Sequence, residues 1–345
     1  MTSRNFVIVL SISLLSLLIY PLLVTDRYIL HVSIIVMLSA YLACSWNILG
    51  GYVGQYSLGH AAFFGVGAYT STLLFMHWGL SPWIGLLTGA CIATFLGLFV
   101  GFLCFRYGVK GPYFLLLSLA FSEIFYIVAV NVEFTRGEIG ITIPFRGGSF
   151  ASFQYAQKWP YFYTISAMLV VAVLLTFFIS RSKLGYFFVA VRESESAAQA
   201  MGVNVMTYKL IAAGVSAFMT SIGGTFYAQY IMYINPSSII GLHVSIDMLV
   251  YSIVGGLGTV FGPALGAFLL VPIAVAMRGW LGGSFIGVHL IIYGAILIVV
   301  IIFIPEGLMG IRQALKLGSG SIFRRGAKRF GHALNLKKKF SDRIS

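Results

Sequence analysis

SRSKLGYFFVAVRESESAAQAMGVNVMTYK, residues 180–209, decides how the chain is read. It is a polar, mixed-charge stretch between two apolar segments, each long enough to cross a bilayer, and it holds the longest string of helix-favouring residues outside such segments. Glu193, Ser194 and Glu195 place acid and an N-cap where a helix macrodipole is positive. Ala197, Ala198, Ala200 and Met201 offer a small apolar face, and Gly202 stands where a helix would stop. The expectation is one helical stub over 193–202, roughly two or three turns long, outside the membrane. A stub anchored at both ends by spans can transmit a push that a loose loop cannot, and small side chains let another protein's backbone come close.

Outward from this stretch, the chain is apolar. With 59% hydrophobic residues, 9% charged and a mean hydropathy of +0.96 over 345 residues, it is an integral membrane protein and not a water-soluble globule. No Asp, Glu, Lys or Arg occurs between Arg27 and Arg106, between Lys209 and Asp247, or between Asp247 and Arg278, and each gap holds one or more spans of about 20 residues. Long unbroken apolar runs exclude an outer-membrane barrel. The expected architecture is all-α and polytopic, with about ten spans at 6–24, 29–49, 59–78, 83–104, 112–131, 160–180, 210–232, 243–260, 263–278 and 287–304. The run 6–24 exceeds a signal-peptide core and is expected to be retained.

Charge sets the topology. Ten of the 22 basic residues lie from Arg312 onward against one acid, Asp342. The region 1–311 therefore reads as a transmembrane domain, and 312–345 as a basic cytoplasmic tail suited to anionic lipids; nothing in it interleaves aromatics as a nucleic-acid platform would. With both termini inside, the cytoplasmic loops carry Arg106 and Lys110, then Arg181, Lys183, Arg192 and Lys209, and the loop 181–209 is cytoplasmic. The outside loop 132–159, rich in Gly, Ser and Gln, is expected to form a partly ordered cap. Cys44, Cys91 and Cys104 all lie in apolar segments and imply no disulfide framework.

Two glycine-rich stretches, 50–69 and 253–267, interrupt the apolar pattern, and freed backbone at membrane depth belongs beside protein or an aqueous path. Gly54, Ser57, Gly59 and His60 lie where such a backbone enters a span; a half-helix starting there would aim free N–H groups at a substrate carboxylate. Glu123 and Asp247, the latter near Ser245, are the two carboxylates inside expected spans, where a charge costs at least about 2.5–3.5 kcal/mol without a partner. Each is a path-lining candidate, and each is also explained by a hydrogen bond to a neighbouring helix. If spans 1–5 and 6–10 form two halves, their third spans run in opposite directions, the inverted 5+5 scheme. No catalytic constellation, metal spacing or phosphate-binding loop appears, so no cofactor is expected on this chain.

Ser196-Ala197-Ala198-x-x-x-Gly202 resembles the EAA loop of binding-protein-dependent ABC importer permeases, although Ser196 stands at that family's glutamate position and Glu195 one place earlier. Arg192-Glu193-Ser194-Glu195 ahead of it is closer to the LivM-like, branched-chain amino-acid branch. Gly54-Gln55-x-Ser57-Leu58-Gly59-His60, Leu119-Ala120-Phe121-x-Glu123 and Gly255-Gly256-x-Gly258-Thr259 are similar to the same branch, so the resemblance covers roughly Gly50 to Gly310. It implies a bacterial inner-membrane permease for branched-chain amino acids, without enzymatic activity of its own. Its implied partners are two ATPase subunits that bind ATP-Mg, a second homologous permease and a periplasmic or extracellular binding protein. Arg192, Glu193, Glu195, Ser196, Ala197, Ala198 and Gly202 would couple to the ATPase. A permease for urea, short amides or other amino acids fits the same residues, as does an ion-coupled transporter working alone through Glu123 and Asp247.

Overall fold

The computed structural model describes residues 26–281 continuously, with Tyr20, Pro21, Val24, Gly294 and residues 307–310. The expected first span, last span and basic tail lie, apart from those positions, outside the described residues. The helices are α1 (Arg27–Asn47), continued by a π-turn over Ile48–Tyr52, then α2 (His60–Trp78), α3 (Pro82–Arg106), α4 (Pro112–Asn131) and α5 (Trp159–Arg181). Two short helices follow, α6 (Lys183–Glu193) and α7 (Glu195–Ala200). After them come α8 (Val205–Ile231), α9 (Pro236–Ile240), α10 (Leu242–Gly255) and α11 (Gly262–Leu281).

Local chemistry fixes these ends. Asp26 accepts from the Tyr28 N–H at the start of α1, Ser81 and Asn204 cap α3 and α8, and Pro82, Pro112, Pro160 and Pro236 sit in first turns, where their missing N–H costs nothing. Gly79, at φ 64°, ends α2 in the left-handed conformation.

Ten spans are expected from hydropathy; among the described residues, seven stretches are long and apolar enough to cross a membrane. Of the eight expected spans that fall there, the one not among the seven is α2. This helix is enclosed by protein: His60, Thr72, Ser71 and the residues around them are buried, so it needs less apolar surface than a lipid-facing rod. α2, α3 and α8 pack together as one unit, and α1 joins α5, α8, α10 and α11 on the other side. The outward faces of α3 and α4 expose Leu87, Phe95, Phe99, Leu116, Ile124 and Ile127, the surface expected of helices against acyl chains.

The loop 132–159 is a folded cap. Ile141–Thr142 pairs antiparallel with Tyr233–Ile234, Phe153 is fully buried against Trp83 at 4.3 Å, and buried Gln154 donates to the Pro144 carbonyl and accepts from the Arg146 N–H.

Candidate functional site

The stub expected over 193–202 is two helices. Ser194 is extended (φ −162°, ψ 112°), which ends α6 and lets its hydroxyl accept from the Ala197 N–H as the N-cap of α7. Glu193 therefore closes α6 and does not begin α7. Gly202, at φ 82°, stops the segment, its N–H bonded to the Gln199 carbonyl. Ser196, Ala197, Ala200 and Met201 face outward, Met201 84% exposed, while Ala198 is buried against the bundle.

What holds this segment is a three-charge cluster that hydropathy does not reveal. Glu195 Oε1 accepts from Lys209 Nζ at 2.5 Å and Glu195 Oε2 pairs with Lys110 Nζ at 3.2 Å. Gln55 adds a weaker 3.4 Å donation to the same carboxylate. The Lys209 side chain is only 3% exposed and also lies over the Phe105 ring, so its charge depends on Glu195. Burial by itself pushes the Glu195 carboxyl up; the hydrogen bonds and charges of Lys209 and Lys110 outweigh that and hold it below its ordinary 4.5. A polar groove of about 360 Å³ runs between Gly54, Lys110, Arg192 and Glu195. Gly54, expected beside the substrate path, lies here against the Arg192 stem.

Inside the bundle, Ser57, Gly59, His60 and Ser245 among the expected site residues belong to a closed polar row. His60 is fully buried. Ser216 donates its hydroxyl to the Ser45 carbonyl at 2.7 Å and so accepts from His60 Nε2–H at 2.7 Å, which fixes the imidazole tautomer. The N–H groups leading into α2 are met from within the protein, Leu58 N by Ser118 Oγ and Gly59 N by Ser57 Oγ, and in its first turn Ser245 Oγ accepts from Ala61 N at 2.8 Å. The starts of α2 and α10 thus meet, and in this conformation the Leu58, Gly59 and Ala61 N–H groups are occupied and not open to a carboxylate. The neighbouring cavity, between Ala62, Gly97, Phe121 and Ala213, is about 20 Å³, room for about one water.

Glu123 and Asp247 do not join this row. Glu123 is half-exposed on α4, and Asp247 is half-buried on α10. Lys110, Lys209, Ser118 and Ser216 are the contact partners of these residues that the sequence reading did not single out as part of a site. The signal available was a lysine opening a long apolar helix.

The His60 pair yields one expected outcome. Ser216→Ala strands a buried N–H and should cost about 1–3 kcal/mol. Thermal unfolding in detergent checks this, with His60→Leu added to the same background expected to recover part of the loss.

Apolar helices of membrane-crossing length around interior polar side chains, with a short charged segment docked at one end, place the chain among polytopic membrane proteins. A profile described as "branched-chain amino acid transport system / permease component" matches residues 28–301, and the chain belongs to that family. It is 29% identical over 326 residues to the high-affinity branched-chain amino acid transport system permease protein LivM of Escherichia coli K12, covering 88% of this chain and 75% of that protein. It is 26% identical over 242 residues to a probable LivM of Methanocaldococcus jannaschii, covering 66% and 69% respectively. No solved structure matches.

Proposed function

We propose that this chain is the permease subunit of an ATP-driven importer for branched-chain amino acids in the bacterial inner membrane, with both termini and the α6–α7 lever in the cytoplasm. Residues 1–311 form the translocating domain, built on about ten spans, and 312–345 a basic tail against anionic lipid. Two separate ATPase subunits hold ATP-Mg and dock on the exposed face of Ser196, Ala197, Ala200 and Met201. A second homologous permease completes the path, and a binding protein delivers substrate on the side of the folded cap. An inverted relation between the halves is supported by the meeting of the α2 and α10 starts at Ala61 and Ser245.

The observation that carries this reading is the Glu195 clamp. A six-residue helix is too short to persist alone, and here it is locked between Lys110 of the α3–α4 connection and Lys209 of the first turns of α8 while its small apolar face is left outward. Such an element is built to receive force. The test is reconstitution: leucine uptake into proteoliposomes should require the ATPase subunits and cease when their phosphate-binding lysine is replaced. Uptake driven by an ion gradient alone sinks the proposal, and uptake of urea in place of leucine redirects its substrate.

Gly202→Val provides a second outcome. Nothing lies within 4 Å of a side chain there, so the change acts through φ alone, with a cost of about 1–2 kcal/mol to the end of α7. Uptake should fall several-fold while the purified bundle keeps its melting temperature.

A further inference from the structure

Beneath the lever, three stretches that lie far apart in sequence come into contact. Asn47, the last residue of α1, is fully buried. Its side-chain oxygen accepts from the Gly258 N–H at 2.9 Å, and its side-chain nitrogen donates to the Thr259 carbonyl at 3.0 Å. One amide thus pairs with an N–H and a carbonyl of the turn between α10 and α11. The π-turn that follows Asn47 leaves the Gly51 carbonyl available to an outside donor, and that donor is Arg192 Nη1 at 3.0 Å. The opposite edge of the guanidinium, Nε and Nη2, is held by Glu193 Oε1 at 3.2 and 2.9 Å, so the group is fixed from two sides.

There is no slack in this contact. A Cβ on Gly51 would lie 1.9 Å from Asn47 Oδ1 and 2.5 Å from the Gly258 nitrogen. A Cβ on Gly258, itself at φ 67°, would lie 2.5 Å from Arg192 Nη1 and 2.9 Å from the Gly51 oxygen. Gly51 is therefore required by the approach of Asn47 and of the 258 backbone, and Gly258 by the approach of Arg192 and of the Gly51 carbonyl. Interiors packed this closely move as units.

We propose that Asn47 is a positioning residue for coupling: with Arg192 it fastens the lever to the π-turn of α1 and to the turn at 256–259, so that displacement of α7 reaches the bundle as one movement of both glycine-rich turns. The inference rests on the function proposed above. It separates two tasks: the Glu195 clamp holds the lever in place, whereas the Asn47–Arg192 contact carries its motion inward.

The test uses the whole complex, permease with its ATPase subunits and binding protein, in proteoliposomes. Leucine transported and ATP hydrolysed are measured together and normalised to assembled complex. Asn47→Leu has nearly the same bulk and loses both hydrogen bonds; Arg192→Lys keeps the charge and loses the two-edged fit. Each should raise ATP consumed per leucine about tenfold, the scale set by loss of buried hydrogen bonds. The double variant should be no worse than the worse single, because both act through one contact. If Asn47→Leu does not assemble, Arg192→Lys alone carries the comparison. An unchanged ATP-to-leucine ratio in the assembled variants, uptake lost only in proportion to lost complex, or simple multiplication of the two effects overturns the inference. Uptake that proceeds without the ATPase subunits overturns the underlying reading instead.

Discussion

Glu195→Ala is expected to release the lever and abolish ATP-driven uptake while the membrane bundle stays folded. The reason is the stranded partner. Lys209 sits at the entrance of α8 with 3% of its side chain exposed, and its ammonium is compensated by one carboxylate. Removing one member of a buried pair costs about 3–5 kcal/mol, and the low end applies because Glu195 is itself 16% exposed and Lys110 is 61% exposed. A change of about 3 kcal/mol lowers the docked population of α7 roughly 100-fold. Hydrogen exchange should show faster exchange over 195–202 with little change in α2, α3 and the rest of α8. Adding Lys209→Met in the Glu195→Ala background should restore melting temperature without restoring uptake, since it removes the stranded charge but not the lost tether. Recovery of both, or loss of neither, would contradict the clamp.

The same carboxylate gives a signed pH dependence. Its folded value is depressed, so its contribution is fully present above the ordinary value of 4.5 and is lost as pH falls from there through the folded value. Exchange protection of α7 should therefore be constant from neutral pH down to about 5 and decline only in more acid solution. A midpoint near 6 would assign the titration to another group.

How much of this was legible in the sequence depends on the range of the interaction. Caps and stops are local: Ser194 and Gly202 take the roles their types suggest, and the apolar runs locate helices to within a few residues. The break between α6 and α7 is less visible, because helix-favouring residues flank Ser194 on both sides and its own hydrogen bond to Ala197 decides the geometry. Two-residue strands whose partner lies some ninety positions away leave no periodic signal, so the cap's pairing of Ile141 with Ile234 was out of reach. The polar row shows the same limit. Ser57 and His60 are recognisable as polar residues at a glycine-rich entry, but whether the N–H groups there await a ligand or are already bonded depends on where Ser118 and Ser245 arrive in space. Asn47 was not singled out in the sequence at all, because what gives it meaning is Gly258, more than two hundred residues on.

Gly224→Val is expected to prevent the bundle from forming, a larger effect than any substitution in the lever. In a bilayer, helices gain little from burying apolar side chains against each other, and close backbone contact must replace that force. α2 and α8 achieve it reciprocally: a Cβ on Gly224 would lie 1.9 Å from the Phe64 carbonyl oxygen, and one on Gly67 would lie 2.0 Å from the Ser221 carbonyl oxygen. Thr225 Oγ1 then donates across the same interface to the Gly67 carbonyl at 3.1 Å. Ordinary contact begins near 3.4 Å, so a branched side chain at 224 must drive the helices apart by more than an ångström, which also pulls Ser216 from His60 on the same pair of helices. Overpacking typically costs about 1–3 kcal/mol where side chains can yield, and here the opposing atoms are backbone, so the cost should exceed that range. Detergent-extracted Gly224→Val should fail to run as a single species on size exclusion, whereas Gly202→Val, tested alongside, should elute like the parent protein. Because 202 and 224 are both glycines of one polypeptide, the contrast isolates the cause: at 202 only a dihedral angle is at stake, and at 224 the distance between two helices.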